Sequence, residues 1–185
     1  MTTVPVKVRF GHRALFGVFI AVTAFAQTID EYKVKAAFVY NFAKFVEWPA
    51  ETFKTAMDPF RICVLGQDPF GDALGSTVNG KTLLGRPFVV ADIGDVSQAG
   101  NCQILFVASS ENKRLRAILT GLRMVGTLTV GETEGFAGLG GIINFKIDDG
   151  RVRFEINVVA AERAKLRISS NLLSLAQIVR AAAQH

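Results

Sequence analysis

Two cysteines, Cys63 and Cys102, are the side chains whose type and number point most directly to chemistry. An even pair of thiols in an oxidising compartment most simply closes into a disulfide. A reactive redox pair and two separate buried thiols are the alternatives. Histidine chemistry has little to draw on, because the chain holds two histidines, His12 near the start and the terminal His185. A Ser-His-Asp triad, a Cys-His dyad and a His-rich zinc site are therefore not expected.

Glu132 and Glu134 are spaced closely enough to act as an acid–base pair. With no predicted cleft to raise one pKa above the other, they read as solvated loop charges. The glycines of the GFAGLGG run, Gly135 to Gly141, imitate a phosphate loop in composition only. The run leads into a strand and not into a helix N-terminus, so loop freedom ahead of a hairpin is the expectation. No catalytic residue, metal site or cofactor is expected.

The address of the chain bears on the cysteines. Lys7, Arg9 and Arg13 precede an uncharged run from Ala14 to Phe25 that closes on Ala24-Phe25-Ala26. A basic region, an apolar region and a small-x-small site in that order make a secretory signal, and a dozen apolar residues are too few to span a membrane. Cleavage is expected after Ala26, leaving residues 27–185 as one mature domain outside the cytoplasm. The 21 basic residues then lose three and the 16 acids none, so the net charge falls from +5 to +2. No basic run is interleaved with aromatics, and no nucleic-acid partner is expected.

The elements that must position these residues follow from periodicity. Val34, Phe38, Phe42 and Phe45 form one helical stripe between Asp30 and Trp48, ended by Pro49. Strands are predicted at 60–66, 86–93, 102–108 and 127–131, the third nearly continuous in apolar residues, as burial on both faces requires. A short helix is expected from Pro69 to Val78 with Asp68 as its cap. Another carries Leu115, Ile118, Leu119 and Leu122, with Ser110 as its cap. The order implies an α/β fold, a single compact domain with a mostly parallel central sheet and flanking helices.

Asp149-Gly150 marks a tight turn between alternating strands, which sets the register of a C-terminal β-hairpin. Asp148 should face Arg151, Ile147 Val152, Lys146 Arg153, Phe145 Phe154, and Asn144 Glu155. Ile143, Phe145, Ile147, Val152, Phe154 and Ile156 form its core face. The other face is polar, with Asp148 and Glu155 in diagonal reach of the like-charged Lys146 and Arg153. A helical turn from Val159 to Ala164 and a closing helix from Ser169 to Ala183, packing through Leu172, Leu173, Leu175, Ala176 and Val179, complete the expectation. Cys63 and Cys102 fall within or at the start of strands. If those strands are neighbours, a bridge enclosing about forty residues stabilises the fold by roughly 3 to 4 kcal/mol.

The helix VKAAFVYNFAKFVEWP, Val34 to Pro49, and the C-terminal stretch GGIINFKIDDGRVRFEINVVAAERAKLRISSNLLSLAQIV, Gly140 to Val179, closely resemble the YfiR family of periplasmic proteins. The likeness covers essentially the whole mature chain. It implies a periplasmic regulator, not an enzyme, that represses an inner-membrane diguanylate cyclase through its sensory part. An outer-membrane OmpA-like lipoprotein sequesters the repressor, and cyclic-di-GMP and biofilm formation are the output. The resemblance also implies a homodimer and matches Cys63 and Cys102 to the family's central disulfide. A second family bridge has no counterpart here. Glu155 falls at a position for partner contact, and Arg167 at a candidate site for a small-molecule effector. On the residues alone, Glu155 is a cross-strand partner for Lys146 and Arg153, and Arg167 a surface residue. The alternative function is a periplasmic small-ligand sensor serving another membrane signalling or transport protein.

Overall fold

A computed structural model describes residues 20–122 and 125–180, with side chains from Glu31 onward. The expected signal, residues 1–26, lies outside the described residues apart from backbone at its end. So does the expected helical segment Ala181 to Ala183.

Helix α1, Ile20–Phe45, lies across a sheet and presents Ala36, Val39, Phe42 and Ala43 to it, each almost fully buried. This stripe is rotated from the expected one, since Val34 is 44% and Phe45 38% exposed. Alanines at the contact let the helix approach the sheet closely, and Phe38 fills the flank against Phe154, ring centroids 5.4 Å apart. The helix ends ahead of Pro49, because Val46–Glu47 (β1) pairs antiparallel with Arg167–Ile168 (β9). The Trp48 indole then donates to the Ala43 carbonyl at 3.1 Å, satisfying one acceptor of the last turn.

The sheet is built from Phe60–Leu65 (β2), Thr82–Leu83 (β3), Arg86–Ile93 (β4), Ile104–Val107 (β5) and Leu128–Gly131 (β6), followed by the hairpin Ile143–Asp148 (β7) and Arg151–Asn157 (β8). With Gln177–Val179 (β10) it has eight strands in the order β10-β8-β7-β6-β5-β2-β4-β3. The pairs β2–β4, β2–β5, β5–β6, β6–β7 and β8–β10 are parallel, so the sheet is mostly parallel, as its alternation with helices predicts. β2 shows why these strands are apolar throughout. Ile62 and Val64 point into the α1 layer, while Cys63 and Leu65 join a second core under α3, Leu115–Gly121.

Two helix starts differ from expectation. Helix α2, Asp72–Val78, begins after Gly71, whose φ of +52° a side chain would strain. Asp68 instead accepts from the Phe70 amide at 2.8 Å, closing a turn upstream. A 3-10 segment, Ser109–Arg114, precedes α3, and Ser110 Oγ accepts from the Gln67 amide at 2.9 Å, tying the loop after β5 to the loop after β2.

The hairpin register is the expected one at every pair. Asp149 and Gly150 both take positive φ, +47° and +69°, as a type I′ turn demands. Helix α4, Val158–Arg163, follows, capped by the Asn157 side chain accepting from Ala160 N at 3.0 Å. The closing helix is a correction. It is the single turn Ser170–Leu173 (α5), with Ser169 as its cap, after which the chain adds β10 beside β8. Leu175, expected to pack, is 68% exposed. The open edge of β8 offers backbone hydrogen bonds that a helix of mixed composition does not outweigh, and Ile178 and Val179 favour the extended form.

Phe136, fully buried in the loop after β6, shows why the last residue of the glycine run is a glycine. Its ring lies between Gly131 and Gly141, and a Cβ on either would collide with it. Gly141→Ala is expected to lose about 1–3 kcal/mol in urea unfolding, and adding Phe136→Leu to recover part of that loss. An unchanged midpoint for the single variant rejects the packing argument.

Candidate functional site

Strand order reverses about β2, with β4 built outward on one side and β5 on the other. In open α/β sheets, ligands bind beyond the C-terminal strand ends near such a point. Along this edge, just after β6, side chains of α1 reach Glu132. Lys35 Nζ reaches Glu132 Oε2 at 2.7 Å and Glu31 Oε1 at 2.5 Å, and the Tyr32 hydroxyl donates to Glu132 at 3.1 Å. The side chains of Lys35 and Glu132 are only 5% and 6% exposed. Glu132 is therefore not the solvated loop charge expected, because the buried strand β6 delivers it beneath α1. Lys35 was the signal that could have found it. On the observed stripe it lies beside Ala36 and one turn before Val39, and a lysine on a buried face demands a carboxylate.

Burial, followed by the Glu132 charge and its hydrogen bond, pushes the Tyr32 phenol well above its ordinary range. The Lys35 ammonium also lies 4.5 Å from the centre of the Tyr32 ring. The cluster keeps the phenol protonated and ties helix to sheet through the Lys35–Glu132 ion pair. Among the described residues, no three or more His, Cys, Asp or Glu side chains converge as metal ligands.

Cys63 and Cys102 are bonded, with Cα atoms 5.8 Å apart, and both are buried in the α3 layer. Cys102 is held in position by the 3-10 segment Val96–Asn101. Asp95 there accepts from Ser97 N at 2.9 Å, and Gln98 Oε1 accepts from Asp95 N at 3.1 Å, a capping box.

At the hairpin the polar face is not uniformly solvated. Asn144 is 2% exposed between Gly131 of β6 and Glu155 of β8, and Glu155 is 8% exposed with Gln177 of β10 beside it. Asn144 Nδ2 donates to Glu155 Oε1 at 3.1 Å, and Lys146 Nζ lies 3.5 Å from Oε2. Arg153, the third charge in the expected exchange, is exposed. Ile147, assigned to the core face, is 53% exposed toward the turn, whereas Phe145 and Phe154 are covered by Phe38 and Phe42. Arg167 stands on β9 with its side chain 85% exposed, 3.5 Å from Glu47 of the paired strand β1. The structure therefore brings Asn144, Lys146 and Glu155 together, and keeps Arg167 on a separate two-stranded sheet.

The sequence profile of YfiR/HmsC-like proteins matches residues 32–177. The chain belongs to the YfiR/HmsC-like family. The matched span opens on Tyr32 and closes on Gln177, so Tyr32, Lys35 and Glu132, the disulfide and the hairpin all lie within the YfiR/HmsC-like region. No curated relative matches the chain by sequence. Among solved structures, it is similar to the ABC domain in complex with L-Trp from Streptococcus pneumonia. Identity is 8% with a TM-score of 0.56, over 80% of this chain and 60% of that one, which is a likeness of fold alone. The chain thus spans less than two thirds of that protein's length.

Two outcomes follow for this YfiR/HmsC-like domain. Reduction, or Cys63→Ala with Cys102→Ala, is expected to lower unfolding free energy by roughly 3 to 4 kcal/mol. Unfolding midpoints with and without reductant measure it, and coincident midpoints reject a stabilising bridge. The raised Tyr32 pKa gives a pH dependence of definite sign. Below the ordinary phenol value, about 10, both folded and unfolded chains keep the proton and the stabilisation is complete. Above it the unfolded chain ionises first, so stability falls as pH rises toward the folded value. Between about pH 9 and pH 11 the wild type should lose stability more steeply than Tyr32→Phe, and equal slopes contradict this.

Proposed function

We propose that this chain is a periplasmic repressor that binds the sensory part of an inner-membrane diguanylate cyclase and is itself sequestered by an outer-membrane OmpA-like lipoprotein. The observation that carries the reading is the family match over residues 32–177, which supports a regulator of cyclic-di-GMP signalling. Export by the N-terminal signal of residues 1–26 is part of the same proposal. No described helix is long and apolar enough to cross a membrane.

The hairpin supplies a surface suited to such a role. Lys146, Arg151 and Arg153 stand exposed on one face of β7 and β8. Glu155, as a partner-contact residue, works from beneath them by fixing Asn144 and Lys146. Arg167 is the exposed cation offered to a small anionic effector, with Glu47 as its resident competitor. A homodimer belongs to the same proposal. Exposed charges change association more than stability, so Arg153→Glu should leave the melting temperature unchanged.

The test pairs deletion with that variant. Deletion is expected to raise cellular cyclic-di-GMP. Wild-type protein should restore it and co-purify with a membrane-bound diguanylate cyclase, whereas Arg153→Glu should recover less of the cyclase. Unchanged cyclic-di-GMP on deletion, with no cyclase recovered, rejects the function.

A further inference from the structure

Beside the β7–β8 hairpin lies a cleft of about 520 Å³ walled by Glu132, Glu134, Asn144, Lys146, Glu155 and Val179. Three carboxylates face one ammonium there. Glu132 is already matched by Lys35. Glu155 is not comparably matched, because Lys146 stands 3.5 Å away with its side chain 48% exposed. Glu134 is exposed at the rim.

Asn144 makes the cleft more than an acidic patch. It is 2% exposed and gives a hydrogen bond to Glu155, yet its Oδ1 is enclosed and accepts none. A buried acceptor left unmade costs about 1–3 kcal/mol, and an orphan of this kind requires a reason. Turning the amide over offers no relief, since it would set oxygen against Glu155 Oε1. Asn144 Oδ1 is thus an unmet acceptor in the cleft, Glu155 has only the long, half-exposed Lys146 as its cation, and Glu134 forms no ion pair among the described residues.

We propose that this cleft binds a small organic cation, an ammonium or guanidinium group on a short alkyl body. Its head takes the place of the Lys146 ammonium on Glu155 Oε2 and, in the space that side chain leaves, donates to Asn144 Oδ1, with Glu134 adding charge at the rim. Its alkyl body lies against Val179 and the exposed Ile147. Lys146 is the resident that gives way, and Asp148, on the same strand face and exposed, receives its ammonium. The site shares Lys146 and Glu155 with the proposed partner surface, but its binding test needs neither the cyclase nor the lipoprotein.

Titration calorimetry of the folded protein with agmatine, and with glutarate as an anionic control of similar length, tests the site. Saturable one-to-one binding is expected for agmatine and none for glutarate. Glu155→Gln should weaken binding about tenfold, the worth of one charge-assisted hydrogen bond. Lys146→Ala should tighten it by removing the competitor. On wild-type protein, the Asn144 side-chain amide resonances should shift with the same midpoint, which needs no variant. Three results overturn the proposal: no saturable heat with agmatine, an affinity indifferent to Glu155→Gln, or Asn144 resonances that stay in place at saturation.

Discussion

A lysine cannot be sealed under a helix without a counter-charge, and this fold is organised around meeting that demand. Lys35 is carried inward by the same stripe that buries Ala36, Val39 and Phe42, and Glu132 arrives from the end of β6 to receive it. Once the pair is made, the rotation of α1 about its axis is no longer free. Val34 and Phe45 are turned outward as a consequence, although both are large and apolar. Apolar burial holds helix and sheet together without choosing an angle, whereas the ion pair and the Tyr32 hydrogen bond choose one. Breaking one partner of such a buried pair costs several kcal/mol, so the angle is firmly held.

The interior of the sheet was legible in the sequence because two faces must be filled at once. Cys102 to Ala108 is apolar at nearly every position, and β5 within it is completely buried. The hairpin was legible to the residue, since Asp149-Gly150 admits one turn geometry and hence one register. The family resemblance rested on the segments that frame this sheet, and the matched region covers the first and all but the last two residues of the second.

Long-range competition was not legible. The stretch from Ser169 has a helical rhythm, yet only one turn forms, because the vacant edge of β8 exists only after the hairpin has folded. The same docking of β10 sets Gln177 beside Glu155, and Asn144 is enclosed between β6 and β8, although local alternation had assigned both to solvent. Asp68 and Ser110 have the right chemistry for helix caps, but each satisfies a loop amide instead. The Lys35–Glu132 pair was missed because its halves lie 97 positions apart and no local pattern joins them. The cysteines were found from count and compartment, and the neighbouring positions of β2 and β5 supplied the rest.

The placement of the first and last elements governs how the chain can reach this state. Helix α1 packs on Phe145 and Phe154, more than a hundred positions later, and the sheet edge closes only when Gln177–Val179 arrives. An N-terminal fragment therefore has nowhere to bury the apolar side of its helix, and a chain short of its last residues leaves β8 unpaired. Such non-local order costs loop-closure entropy before any contact offsets it, and that topology slows folding relative to locally connected helices.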